Sequence, residues 1–173
     1  MLLKEISEDI VVYHGSKYDF DQFDVSKIGD ETENLKGGWG VYLTTDRSVA
    51  ANYSTGKGTV KAYKIPSHRR YFNLDEGVDD SDQIYAKLES LNLVSDDDLE
   101  EFKNEFVDEQ YRFDTTNQQM YDWLSHVLGS NKNASMFLYD EMGYIGNTFS
   151  DKTNPNAQNF VLFDAKYITS HLE

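Results

Sequence analysis

The segment Ile10-Val11-Val12-Tyr13-His14-Gly15-Ser16 decides how the chain is read, because an apolar run ends abruptly on a histidine, a glycine and a hydroxyl. β-Branched and aromatic residues in succession favour a strand, which then delivers the polar triplet at its end. A glycine there allows a ligand to approach the backbone closely. Taken alone, His14 reads more readily as a polar turn residue than as a ligand, so its meaning depends on what surrounds it.

Outward from this segment, the first 75 residues read as strands and turns. Gly40-Val41-Tyr42-Leu43-Thr44 is a second strand preceded by the flexible pair Gly37-Gly38, and Asp46 is an N-cap for a short helix through Tyr53. Thr59-Val60-Lys61-Ala62-Tyr63-Lys64-Ile65 alternates strictly and ends at Pro66, and Tyr71-Phe72-Asn73-Leu74 follows as another strand. Over about 76–142 the period changes to helical. Ile84, Leu88 and Leu91 form one face, Leu99, Phe102 and Phe106 a second, and Met120, Trp123, Leu124, Val127 and Leu128 a third. The acid clusters Asp79-Asp80 with Asp82, and Asp96-Asp97-Asp98, suit helix N-termini and their dipoles; the calcium-loop pattern with its central glycine is absent. After Gly143 strands return, as Tyr144-Ile145, then a polar loop from Asn147 to Gln158, then Phe160 to Asp164 and Tyr167 to Thr169. Strands at both ends with helices between them predict a single α+β domain over 1–173.

Composition narrows the function classes. The absence of cysteine excludes thiolate zinc sites, cysteine nucleophiles and a disulfide scaffold. His14, His68, His126 and His171 show no metal-ligand spacing, so no metal is expected, and Ser16 lies in no nucleophile elbow. A formal charge of −15 repels phosphate backbones and argues against nucleic-acid binding. It suits small ligands or a basic protein partner, or serves solubility alone. The opening Met1-Leu2-Leu3-Lys4-Glu5 is not a signal peptide and no apolar run has membrane-spanning length, so a cytoplasmic protein without membrane contact is expected.

Three elements in order, His14-Gly15-Ser16, then Gly40-Val41-Tyr42-Leu43, then Ala51-Asn52-Tyr53, resemble the ADP-ribosyltransferases of the poly(ADP-ribose) polymerase-like, His-Tyr-Glu branch. Phe20 and Phe23 match an aromatic pair in phage and bacterial relatives. The resemblance runs from about Val11 to Tyr53 and from Gly143 to Ile168, and not over the helices between. It implies a split antiparallel β-sheet of the ADP-ribosyltransferase fold with a helical insertion at about 76–142, and NAD+ as co-substrate.

The same resemblance assigns roles. His14, assisted by Ser16, would hydrogen-bond the adenosine-side ribose. The Gly15 backbone would meet the nicotinamide amide, Tyr53 would stack on the nicotinamide ring, and Tyr42 would wall the pocket. The family's glutamate aligns with Asn159, which accepts a hydrogen bond but carries no charge and is no base. Chain elongation is thereby disfavoured. A serine that often contacts the nicotinamide amide is Ala50 here, and Gln158, Asp151, Asp140 and Glu141 are candidate substitutes for the missing charge. His14, Tyr53 and Asn159 are thus the expected catalytic set. The expected activity is mono-ADP-ribosyl transfer from NAD+ to a protein side chain, in the manner of a phage or bacterial effector acting on a host protein. The alternatives are a catalytically weak domain that binds NAD+ or a protein, and an NAD+ glycohydrolase.

Overall fold

The computed structural model describes residues 8–16, 22–28, 37–54, 58–78, 80–112 and 114–171. Phe20 and Asp79, singled out above, lie outside the described residues. The expected strands form as β1 (Ile10–Ser16), β2 (Val41–Thr44), β3 (Thr59–Ile65) and β4 (Tyr71–Asn73), with α1 (Arg47–Ala51) between β2 and β3. Helices α2 (Ser81–Ser90), α3 (Asp96–Phe102), α4 (Glu109–Arg112), α5 (Asn117–Leu128) and α6 (Asn131–Asp140) follow, with a π-helical turn at Lys103–Val107. Then come β5 (Gly146–Ser150), β6 (Gln158–Leu162) and β7 (Thr169–Ser170).

These strands make one sheet in the order β4-β5-β6-β2-β1-β3-β7. Neighbours run antiparallel except β4 and β5, which are parallel. The helices account for that exception: parallel strands need a crossover of a dozen or more residues, and the inserted helices supply it.

Alternation divides the core in two. Phe72, Phe102, Phe106, Met120, Leu124 and Phe163 pack under the helices. Val12, Leu43, Tyr63, Ile65, Phe160 and Leu162 form a second cluster, to which Tyr71, the neighbour of Phe72, turns. Local chemistry sets the helix ends. Ser95 caps α3 by accepting from the Asp98 amide, and the aspartates form its first turn as the dipole favours. Thr116 and Gln119 make a reciprocal capping box on α5, which ends at Gly129 in the left-handed conformation.

Four local expectations need correction. Tyr144 and Ile145 precede the expected strand, which starts at Gly146, and Tyr167 ends a 3-10 turn ahead of β7. Leu91 does not continue the buried face of α2: it is the C-cap and 42% exposed. The polar loop expected from Asn147 begins as a strand, because β5 places Asn147 and Thr148 at buried positions of the sheet. Polar side chains there hid the strand's apolar period.

Candidate functional site

The site begins where the sheet parts. β1 pairs with β3 along its whole length, from Ile10 opposite Ile65 to Ser16 opposite Thr59. β2 pairs with β6 from Val41 opposite Leu162 to Thr44 opposite Asn159. Between β1 and β2, among the described residues, the only register pair is Tyr13 opposite Thr44. The strands therefore diverge alongside His14, Gly15 and Ser16, leaving a backbone edge of β1 that no ladder with β2 consumes.

His14 spans this opening. Its Nδ1 lies 2.7 Å from the Tyr42 carbonyl, which can only accept, so Nδ1 carries the proton and Nε2 is an acceptor in the neutral ring. Burial lowers the ring's pKa from 6.5, with the Tyr42 hydrogen bond opposing, and keeps it neutral. Phe23 meets the ring edge-on at a centroid distance of 4.9 Å and itself packs on Tyr63 at 4.8 Å.

Gly15 is also required by a contact within the fold. A Cβ there would lie 1.8 Å from the Ala50 carbonyl oxygen, so the close approach belongs to α1. Asp46 caps α1, accepting from the amides of Ser48 at 2.7 Å and Val49 at 3.3 Å. Two residues after α1 comes Tyr53, whose side chain points outward and is 66% exposed. Its phenol is near enough to Tyr42 to help raise that group's pKa, behind burial and Tyr121. The Tyr42 hydroxyl donates to the Gly38 carbonyl at 2.6 Å.

Asn159 sits on β6 between Thr44 of β2 and Phe149 of β5. Its Nδ2 donates to Asp151 at 3.0 Å, while its Oδ1 is buried without a partner among the described residues. By strand alternation Tyr13, Tyr42, Thr44 and Asn159 share one face of the sheet. His14 belongs to the other face and reaches the group because the strands part. Tyr42 is thus the hub, touched by His14 through its carbonyl and sensed by Tyr53 through its hydroxyl.

Sequence reasoning missed the residues that hold β2 in place. The Tyr121 hydroxyl of α5 accepts from the Trp39 amide at 3.0 Å, Ser135 of α6 donates to the Trp39 carbonyl at 2.9 Å, and Asn147 donates to the Gly37 carbonyl at 2.9 Å. Gly38 has φ +90°, and a Cβ there would lie 2.5 Å from the Tyr121 hydroxyl, so glycine is required on both counts. The insertion thereby anchors the strand that carries Tyr42. Of the candidate substitutes for the missing glutamate, Glu141 pairs with Lys87 at 3.7 Å, Gln158 donates to Thr148 at 2.6 Å, Asp140 is exposed at the end of α6, and Asp151 alone holds Asn159.

A mixed sheet opened between its central strands, crossed by a half-buried neutral histidine and flanked by an outward tyrosine, has the form of an ADP-ribosyltransferase. More narrowly, the chain belongs to the family described as ADP-ribosyltransferase in polyvalent proteins, whose model matches residues 7–172. That match runs through the helices as well, so the insertion is part of the family's pattern. No curated protein and no solved structure matches the chain. Among the described residues, no helix is long and apolar enough to cross a membrane.

Proposed function

We propose that this ADP-ribosyltransferase moves a single ADP-ribose unit from NAD+ to a protein side chain. The observation that carries the proposal is the Asn159 Oδ1, an acceptor buried on β6 opposite Thr44 without a partner among the described residues. Such an oxygen is costly unless something donates to it, and a ribose hydroxyl is such a donor. NAD+ supplies a glycosidic bond whose breaking leaves positive charge on the ribose and a neutral nicotinamide.

The chain's own groups suit each part of that substrate. His14, its ring oriented by the Nδ1 bond to Tyr42, stands with Ser16 at the strand end where a ribose contact is expected. The Gly15 edge offers an N–H and a C=O to a carboxamide. The exposed ring of Tyr53 supports stacking on nicotinamide, with Tyr42 behind it. Asn159 accepts a hydrogen bond without abstracting a proton, which supports single transfer over chain growth. The acidic chain suits a target with a basic surface, and its relation to polyvalent proteins supports an effector of phage or bacterial origin acting on a host protein in the cytoplasm.

The test is incubation of the purified chain with adenine-labelled NAD+ and a cell lysate, followed by mass spectrometry. ADP-ribose attached to a protein side chain, at one unit per site, is expected. Free ADP-ribose without protein label would replace transfer by NAD+ hydrolysis. Unchanged NAD+ that nonetheless binds would reduce the chain to a binding domain.

A further inference from the structure

The turn that joins β5 to β6 holds the Asp151 carboxylate against Asn159. Asp151 Oδ2 accepts from Asn159 Nδ2 at 3.0 Å. Its Oδ1 accepts from the Thr153 amide at 2.9 Å, the Thr153 hydroxyl at 2.7 Å and the Asn154 amide at 3.0 Å. Asn154 is held in turn by Asp46, to which its Nδ2 donates at 2.6 Å. The carboxylate is thus fixed at both oxygens and tied to the start of α1.

An amide presents an NH2 and an oxygen of similar size, and its neighbours decide which faces where. A carboxylate only accepts, so it takes the NH2 of Asn159 and turns Oδ1 to the opposite side. That is the oxygen found buried and unpartnered among the described residues.

We propose that Asp151 is a positioning residue for ADP-ribosyl transfer, fixing the Asn159 amide with its oxygen toward the ribose and lending that oxygen the negative charge an amide lacks. The proposal rests on the NAD+ reaction proposed above. Hydrogen bonds in series polarise one another: an N–H held by an anion pushes electron density onto the carbonyl oxygen of the same amide. The pair then does in two residues what a glutamate does in one, with its charge one amide away from the ribose. The Asp151 carboxyl is held at about 2, chiefly by the Asn159 hydrogen bond, so the charge persists at any working pH.

The test compares three variants of the full chain by nicotinamide release. Asp151→Asn keeps an oxygen for the Thr153 and Asn154 amides but presents an NH2 to residue 159 and removes the charge. Its kcat should fall about 10- to 100-fold, less than the roughly 100- to 1000-fold for loss of a group that touches the reacting atoms, because Asp151 acts through Asn159, with KM for NAD+ and the melting temperature little changed. Asn159→Asp alone sets two carboxylates against each other and should fall at least as far. The double variant Asp151→Asn/Asn159→Asp places a carboxylate at 159 that accepts from an amide at 151, and should recover most of the lost kcat. A support role confined to the fold would instead lower the melting temperature and leave kcat of the folded fraction unchanged.

Wild-type kcat in a folded Asp151→Asn, or a double variant no better than the poorer single one, overturns the proposal. If the unaltered chain neither binds nor cleaves NAD+, the proposed reaction fails and takes the role of Asp151 with it. If it does both while Asp151→Asn is unchanged, only that role fails. Should Asp151→Asn not fold, the side-chain NH2 protons of Asn159 in the unaltered chain carry the test. An Asn159 NH2 proton shifted downfield and protected from exchange with water, and still so when ADP-ribose is added, supports the pair; NH2 shifts and exchange rates equal to those of a solvent-exposed asparagine overturn it.

Discussion

Replacing Gly15 by alanine is the smallest change that tests how the parted sheet and α1 are joined. The added Cβ would sit 1.8 Å from the Ala50 carbonyl oxygen and 2.7 Å from its carbon, both main-chain atoms. Carbon and oxygen settle no closer than about 3.3 Å, so α1 and β1 must separate by roughly 1.5 Å. Val49 and Ala50 are 6% and 1% exposed, and that shift opens their packing. Overpacking of this kind costs about 1–3 kcal/mol, which for a domain of this size lowers the melting temperature by about 2–12 °C. Tyr53 follows α1 by two residues and moves with it, and a displacement near 1 Å costs a reaction on the order of 100-fold. Thermal unfolding by circular dichroism and nicotinamide release measure the two effects. Ala50→Gly should not rescue either, since the clashing atom is a carbonyl. Gly15→Ala with wild-type melting temperature and turnover would refute the close approach of α1.

Tyr53→Ala should weaken NAD+ binding by about 1–3 kcal/mol, roughly 5- to 150-fold in Kd, through lost ring stacking. Because the side chain is 66% exposed, the melting temperature should hold, and calorimetry with thermal unfolding separates the two. The His14 ring titrates below its unfolded value of 6.5. The unfolded chain therefore binds the extra proton first as pH falls, so this contribution to stability is intact above about 6.5 and is lost as pH drops toward the folded value. Melting curves from about pH 5 to 8 should show that acid loss diminished in His14→Gln. Tyr121→Phe leaves the buried Trp39 amide without its acceptor and should cost about 1–3 kcal/mol in urea unfolding.

Much of this architecture was legible because its period is local. β1, β2, β3 and the cap of α1 follow from apolar runs, alternation and one aspartate, and the helical stripes place Ile84, Leu88, Leu99, Phe102, Phe106, Met120, Trp123 and Leu124 in the core, with Leu91 left exposed. β5 escaped because Asn147 and Thr148 are polar residues at buried positions, with no apolar alternation to betray a strand. The parallel pairing of β4 and β5 follows from the crossover rather than from either strand's sequence. Of the candidate site, His14, Tyr42 and Asn159 stood out by motif, while the packing of Gly15 against Ala50 showed only in the fold. The grip of Tyr121, Ser135 and Asn147 on Gly37 and Trp39 crosses 82 to 110 residues, and side-chain bonds to distant backbone leave no local pattern. Asp151 was one of several acids near the right place, and only the fold pairs it with Asn159.

Occupation of the opening between β1 and β2 by NAD+ is tested most directly by titrating the isotope-labelled chain with NAD+ and following its amide resonances. Shifts that saturate together at His14, Gly15, Ser16, Tyr42 and Tyr53 and at the Asn159 side chain, while the exposed faces of α2 and α3 stay still, are the predicted result. Shifts confined to the helical insertion, or none at millimolar NAD+, would contradict it.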